Sequence, residues 1–239
     1  MGYLLGIDAG STNYKAIACD KTGRFLASAR RPANTKYHEN GWAETSPELI
    51  WEGVAACIAE IAAQLPGETC EGVAVASSGE DVLLDGAAQS VYPAIRWFDT
   101  RTEAIASAWE PFGREHIYRI TGINPNPVAS ITKMQWIKRY VPEAWGRARL
   151  WIPIAGFISL KLTGAARAPW TNACRSMAFD LNHRDWSEEI LAEAGIERSL
   201  LAEPIRPGEQ IGALTAAAAA ATGLKEGTPV FAGGVDYAC

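Results

Sequence analysis

Clusters of positive charge are missing from this chain. Its 22 lysines and arginines are outnumbered by 27 aspartates and glutamates, giving a formal net charge of −5. Arg30-Arg31 and Lys138-Arg139 are isolated basic pairs. Nucleic-acid backbones are bound through concentrated positive charge, so no nucleic-acid partner is expected. Cysteine is also scarce. Cys19, Cys57, Cys70, Cys174 and Cys239 are scattered, odd in number and contain no C-x-x-C, so neither a disulfide framework nor a zinc site is indicated. Free thiols of this kind fit a reducing compartment, and the expected location is cytoplasmic. No apolar stretch approaches a membrane span. The alanine run from Ala213 to Ala221 is interrupted by Thr215, ends at Gly223 and reads as an ordinary helix. The N-terminus reaches Asp8 too soon for a signal peptide. No coiled-coil heptad is present, which leaves a homodimer open as a partner.

What is present is an ordinary globular composition: 239 residues, 48% hydrophobic and 21% charged. That is enough for one large domain or two small ones. Tyr3 to Ile7, Tyr14 to Cys19 and Arg24 to Ala29 are strand-like runs joined by tight turns, which predicts an antiparallel three-stranded meander at the start. Thr45-Ser46-Pro47-Glu48 predicts a capped helix start, with the helix running to about Gln64 before Pro66-Gly67. Gly72 to Ala76, Val82 to Leu84 and Val91 to Ile95 read as strands. Helical patterns follow over Thr100 to Trp109, from a Ser130 cap to Tyr140, and over Ile154 to Leu162. Pro229 to Phe231 is a final strand before Ala232-Gly233-Gly234-Val235-Asp236. The order predicts an α/β fold with a mixed sheet flanked by helices. A strand and glycine turn so near the last residue, Cys239, suggest a chain completed by a further segment.

Three segments could carry chemistry. Gly6-Ile7-Asp8-Ala9-Gly10-Ser11-Thr12, with Lys15, places a carboxylate at a strand end before a sharp turn whose amides can face an anion. Such an aspartate can also hold Mg²⁺ through waters. Gly233-Gly234-Val235-Asp236 again joins a strand end, flexible backbone and a carboxylate; its glycines would admit a substrate, and Asp236 could take a hydroxyl proton. Ser77-Ser78-Gly79-Glu80-Asp81 and Trp97-Phe98-Asp99-Thr100-Arg101 offer polar groups around a tryptophan, the surface that a polyol wants. Singly, each is equally a hairpin turn, a turn aspartate or a surface loop.

Together they resemble the FGGY carbohydrate kinases, members of the actin-like ATPase superfamily. Gly6 to Ser11 with Lys15 is similar to that family's first phosphate motif, Trp97 to Arg101 to its W-x-D-x-R segment, and Gly233 to Asp236 to its G-G-x-D. Thr121-Gly122 through Pro127, Thr132-Lys133 and Trp136 resemble its T-G…P…K-x-x-W stretch, and Asp180 to Trp186 its strand and loop before R-D-W. The resemblance implies an actin-like, ribonuclease H-like domain spanning 1–239, the sugar-binding N-terminal half of a kinase whose C-terminal ATP-binding domain is not in this chain. It implies ATP and Mg²⁺ as cofactors and a sugar or polyol as acceptor. It implies Asp236 as catalytic base and acceptor contact, Asp8 as metal ligand, and Gly10, Ser11, Thr12 and Lys15 at the phosphates. Ser78, Glu80, Trp97 and Asp99 would line the sugar site. The Arg-Glu pair of glycerol kinases near 78–80, and their tyrosine where Val128 stands, are not matched, nor is the Met-His of xylulokinases; this argues against glycerol and leaves xylulose without support. A binding module without catalysis and a ribonuclease H-like nuclease are the rival readings, the nuclease weakened by the acidic charge.

Overall fold

The computed structural model describes residues 2–239. Strict alternation builds the opening: Tyr3, Leu5, Ile7 and Ala9 are buried along β1 (Gly2–Ala9), while Leu4 is 44% exposed on the other side. The same alternation runs through β2 (Asn13–Cys19) and β3 (Phe25–Pro32), and the three pair antiparallel. The expected meander is thus present.

α1 (Pro47–Gln64) starts at Ser46, whose hydroxyl accepts from the Leu49 amide at 3.3 Å, with proline in the first turn. Its buried Ile50, Val54, Ile58 and Ile61 recur at helical spacing and pack over β2 and β3. The chain then forms β4 (Thr69–Ser77), β5 (Asp81–Leu84), α2 (Ser130–Tyr140), β6 (Leu150–Pro153), α3 (Ile154–Thr163), β7 (Gln210–Ala213), α4 (Ala216–Thr222) and β8 (Pro229–Val235). The main sheet has the order β7-β8-β4-β1-β2-β3. β4 runs parallel to β1 and β8 parallel to β4, so the sheet is mixed. α3 packs on β8 and β4. β5 and β6 pair antiparallel in a second, smaller sheet.

Several local expectations change. Ser130 does not cap α2: it is buried inside the first turn, and Ala129 holds the cap position without a side-chain bond. The helix expected over Thr100 to Trp109 is confined to Glu103–Ser107. The alanine run splits: Ala213 ends β7, and Thr215 caps α4 by accepting from the Ala218 amide at 3.2 Å. The last strand continues past Phe231 to Val235. Among the described residues, no helix is long and apolar enough to cross a membrane.

Candidate active site

The site forms where three parallel strands end together. Ala9 of β1 and Val235 of β8 both register with Ser77, the last residue of the central β4. Asp8, in β1, and Asp236, the residue after β8, therefore stand at the same end of the sheet, to either side of β4. Two inter-strand spacings put their backbones about 10 Å apart. A third residue reports their shared surroundings: burial, then the Asp236 carboxylate, then that of Asp8, push the Cys239 thiol up from its ordinary value.

Ser77 anchors the junction. Its hydroxyl accepts from the Ala155 amide at the start of α3 (3.1 Å) and from Asn172 Nδ2 (3.2 Å). The Ser78 amide donates to the Ala9 carbonyl at 3.3 Å, tying the loop after β4 to the end of β1. The glycines before Asp236 have a packing reason. A Cβ on Gly233 would lie 2.2 Å from the Val75 carbonyl oxygen, and one on Gly234 2.3 Å from Thr171 Oγ1. That hydroxyl accepts the Val235 amide at 2.9 Å. The expectation that these glycines admit substrate is corrected: they let β8 settle against β4 and Thr171, and so aim Asp236.

Residues 10–12 form the turn between β1 and β2. The Gly10 amide is spent on the Asn13 carbonyl at 3.1 Å, so this expected phosphate donor is already engaged. The Ser11 and Thr12 amides donate to no acceptor among the described residues. Lys15 Nζ lies 3.1 Å from Asp8 Oδ2, an exposed pair that contributes little to stability and leaves the lysine free to move to another anion.

Ser11, Ser78, Gly79, Trp97, Arg175, Val235, Asp236 and Tyr237 line one cavity of ≈ 550 Å³. Trp97 is 40% exposed, and its Nε1 donates to Ser11 Oγ at 3.4 Å, bridging the turn and the cavity wall. Of the residues expected at the sugar, Ser78, Trp97 and Asp236 are brought together here, with Ser11 of the phosphate turn. Arg175 and Tyr237 were missed; the run Thr171-Asn172-Ala173-Cys174-Arg175 lacks any periodic or motif signal that would mark it.

Glu80 and Asp99 are not in the cavity wall. Glu80 is fully buried, receives the Ser78 hydroxyl, and lies 3.4 Å from Arg96 Nη1. Arg96 Nε in turn donates to Thr35 Oγ1 at 2.9 Å. Asp99 accepts from Arg101 Nε (2.9 Å), Arg101 Nη2 (2.7 Å) and the Ala43 amide (2.7 Å). Burial alone would raise its carboxyl, but these donors outweigh burial and hold it below the usual range. Arg101 also pairs with Glu44 at 2.7 Å and stacks on Trp42 at 4.2 Å. The expected sugar contact at Asp99 is therefore corrected to a scaffold role: W-x-D-x-R places its tryptophan outward by locking its aspartate and arginine inward.

A strand-end carboxylate, a turn with unengaged amides and a cavity that holds a second carboxylate just past a parallel strand fit a domain of the actin-like ATPase class. The family model for the FGGY carbohydrate kinases, N-terminal domain, matches residues 3–239, and the chain belongs to that family. It is 33% identical to an L-fuculokinase of Escherichia coli K12 over 98% of its own length and 50% of the relative. A xylulose kinase from Rhodospirillum rubrum superposes with a TM-score of 0.94 at 28% identity, over 98% of this chain and 50% of that one. A gluconate kinase from Lactobacillus acidophilus superposes at 0.92 and 25% identity, over 98% and 48%. The chain spans about half the length of the relatives it matches.

Proposed function

We propose that this chain is the acceptor-binding half of an ATP-dependent carbohydrate kinase. The observation that carries the reading is the register that sets Ala9 and Val235 on either side of Ser77, and so brings their neighbours Asp8 and Asp236 to one end of the sheet, one beside the turn with free amides and the other in the cavity. In the reaction, an acceptor hydroxyl oxygen bonds to the γ-phosphorus of ATP, the bond to the β-phosphate oxygen breaks, and ADP leaves. Asp236 orients the hydroxyl and takes its proton. A loose transition state asks for positioning more than for a strong base, so an aspartate suffices. Ser11, Thr12 and Lys15 meet the phosphates, Ser78 hydrogen-bonds the acceptor, and Trp97 covers its C–H face.

Magnesium fits the residues present. Asp8 is a part-exposed carboxylate with a single displaceable partner, which suits an ion that keeps its waters and leans on substrate phosphates. No group of three or more His, Cys, Asp or Glu side chains among the described residues is arranged as a dedicated cage. When bound, the ion would neutralise charge on the transferred phosphoryl group.

The chain's relatives act by name on fuculose, xylulose, gluconate and glycerol, so the acceptor class is a sugar, sugar acid or polyol. The test is a phosphorylation screen of ketoses, polyols and sugar acids with the full-length gene product, ATP and Mg²⁺, read by phosphorus NMR. A phosphate monoester on at least one acceptor is expected; ADP release without any such ester would overturn the reading.

A further inference from the structure

Arg175 is the cation in the cavity wall, between Gly79 and Tyr237. A second cavity of ≈ 210 Å³ adjoins the first, and Arg175 and Tyr237 belong to both walls. Asn126 and Val128 also line it. An acceptor whose reacting end lies at Asp236 therefore meets the Arg175 guanidinium where the two cavities join.

That guanidinium is under-used. Nη1 donates only to the Tyr237 hydroxyl, at 3.5 Å, and the group sits 5.7 Å from the Tyr237 ring. Nε is buried without a partner. No carboxylate lies within 4.0 Å of it among the described residues. Arg96 and Arg101, by contrast, are held by Glu80, Asp99 and Glu44. Gly79 keeps the place open: a Cβ there would stand 3.2 Å from Arg175 Nε. A part-buried guanidinium without a counter-charge is costly to hold. A neutral hydroxyl would fill one donor and leave the charge. A carboxylate fills two donors of the planar fork and cancels the charge as well.

We propose that Arg175 is a specificity residue that binds a carboxylate on the acceptor, so that the preferred acceptor is a sugar acid. This rests on the kinase reading and narrows it: the acid end seats on Arg175, and a hydroxyl elsewhere on the carbon chain is presented to Asp236. Aldonates of five and six carbons are the class, since their carboxylate and hydroxyls lie on one flexible chain able to reach from one cavity into the next.

The test compares five- and six-carbon aldonates, D-gluconate among them, with the alditols of the same stereochemistry, in the full-length protein. The wild type should favour its best aldonate over the matching alditol by about 100-fold in kcat/KM, the usual weight of a charge-assisted contact. Arg175→Gln should erase that preference, chiefly through KM, and Arg175→Lys should restore part of it. Calorimetry of the same aldonate should show binding to the wild type and its loss in Arg175→Gln, with thermal melting confirming that the variant folds. Equal loss for acids and alditols in Arg175→Gln overturns the proposal. So does phosphorylation of neutral sugars with no activity on acids, a result that leaves the kinase reading intact. Aldonate binding dependent on Arg175 but without phosphorylation of any acceptor would keep the specificity role and remove the kinase reading instead.

Discussion

Two groups of charged residues have opposite characters. In the outer group, Asp8, Lys15, Arg175 and Asp236 are exposed or part-exposed and make few bonds. In the inner group, the side chains of Glu44, Glu80, Asp81, Arg96, Asp99, Arg101 and Lys133 are buried, and most are tied to one another or to backbone. The contrast separates residues that keep capacity for a ligand from residues that have spent it. The inner group holds the outer one: Lys133 donates to the Arg96 carbonyl at 2.9 Å, Arg96 reaches Thr35, and Thr35 touches the Ser11 carbonyl at 3.4 Å. The polar contacts that keep Trp97 and the 10–12 turn in place thus start from charges that no ligand reaches.

Stability measurements can break this comparison. Arg101→Ala should have the largest effect, about 3–5 kcal/mol, because it leaves Asp99 and Glu44 without their shared cation and two tryptophans without the ring-stacked guanidinium. Chemical denaturation reads it. A loss below 1 kcal/mol, the ceiling for exposed pairs, would mean that the inner group is no scaffold.

A pH profile gives the next effect. Burial pushes the Asp81 carboxyl up to about 6, against the Ser130 hydroxyl and Lys133, which pull it down. A folded-state value above the unfolded one means that the folded protein holds the proton longer. Stability should therefore fall as pH rises from about 4 to about 6, by on the order of 2–3 kcal/mol. Asp81→Asn cannot ionise and should flatten that fall; an unchanged slope would show that Asp81 does not carry it. Ser46→Ala should cost about 1 kcal/mol through the lost cap of α1. Lys15→Ala should be smallest, within about 1 kcal/mol, since its ion pair with Asp8 is exposed. A Lys15→Ala loss as large as that of Arg101→Ala would erase the distinction between the two groups.

The fold was legible where one short-range rule decides. Alternation marked the meander, and Ser46-Pro47 marked the start of α1. The short strands Lys36–Tyr37 and Ala43–Thr45 were less so, because they are only two and three residues long and Ala43–Thr45 also pairs with the distant Ala94–Ile95. β7 was hidden because Gly212 and Ala213 run into an alanine helix, and only pairing with β8 makes the segment a strand. The positions of Asp8 and Asp236 at one end of the sheet were readable because a carboxylate at a strand end, two residues from a glycine, is a local pattern. Glu80 and Asp99 were misjudged for the converse reason: whether an acid faces a cavity or a buried arginine depends on residues far away in sequence. Arg175 was invisible on the same grounds, since its meaning comes from Gly79 and Tyr237 across the fold.

The most direct test concerns Asp236 itself. In the full-length protein, Asp236→Asn keeps the shape of the side chain and removes its ability to take a proton. Turnover should drop by about 10²–10⁴-fold, while calorimetry shows acceptor affinity within a few-fold of wild type. Near-wild-type turnover in this variant would contradict the account.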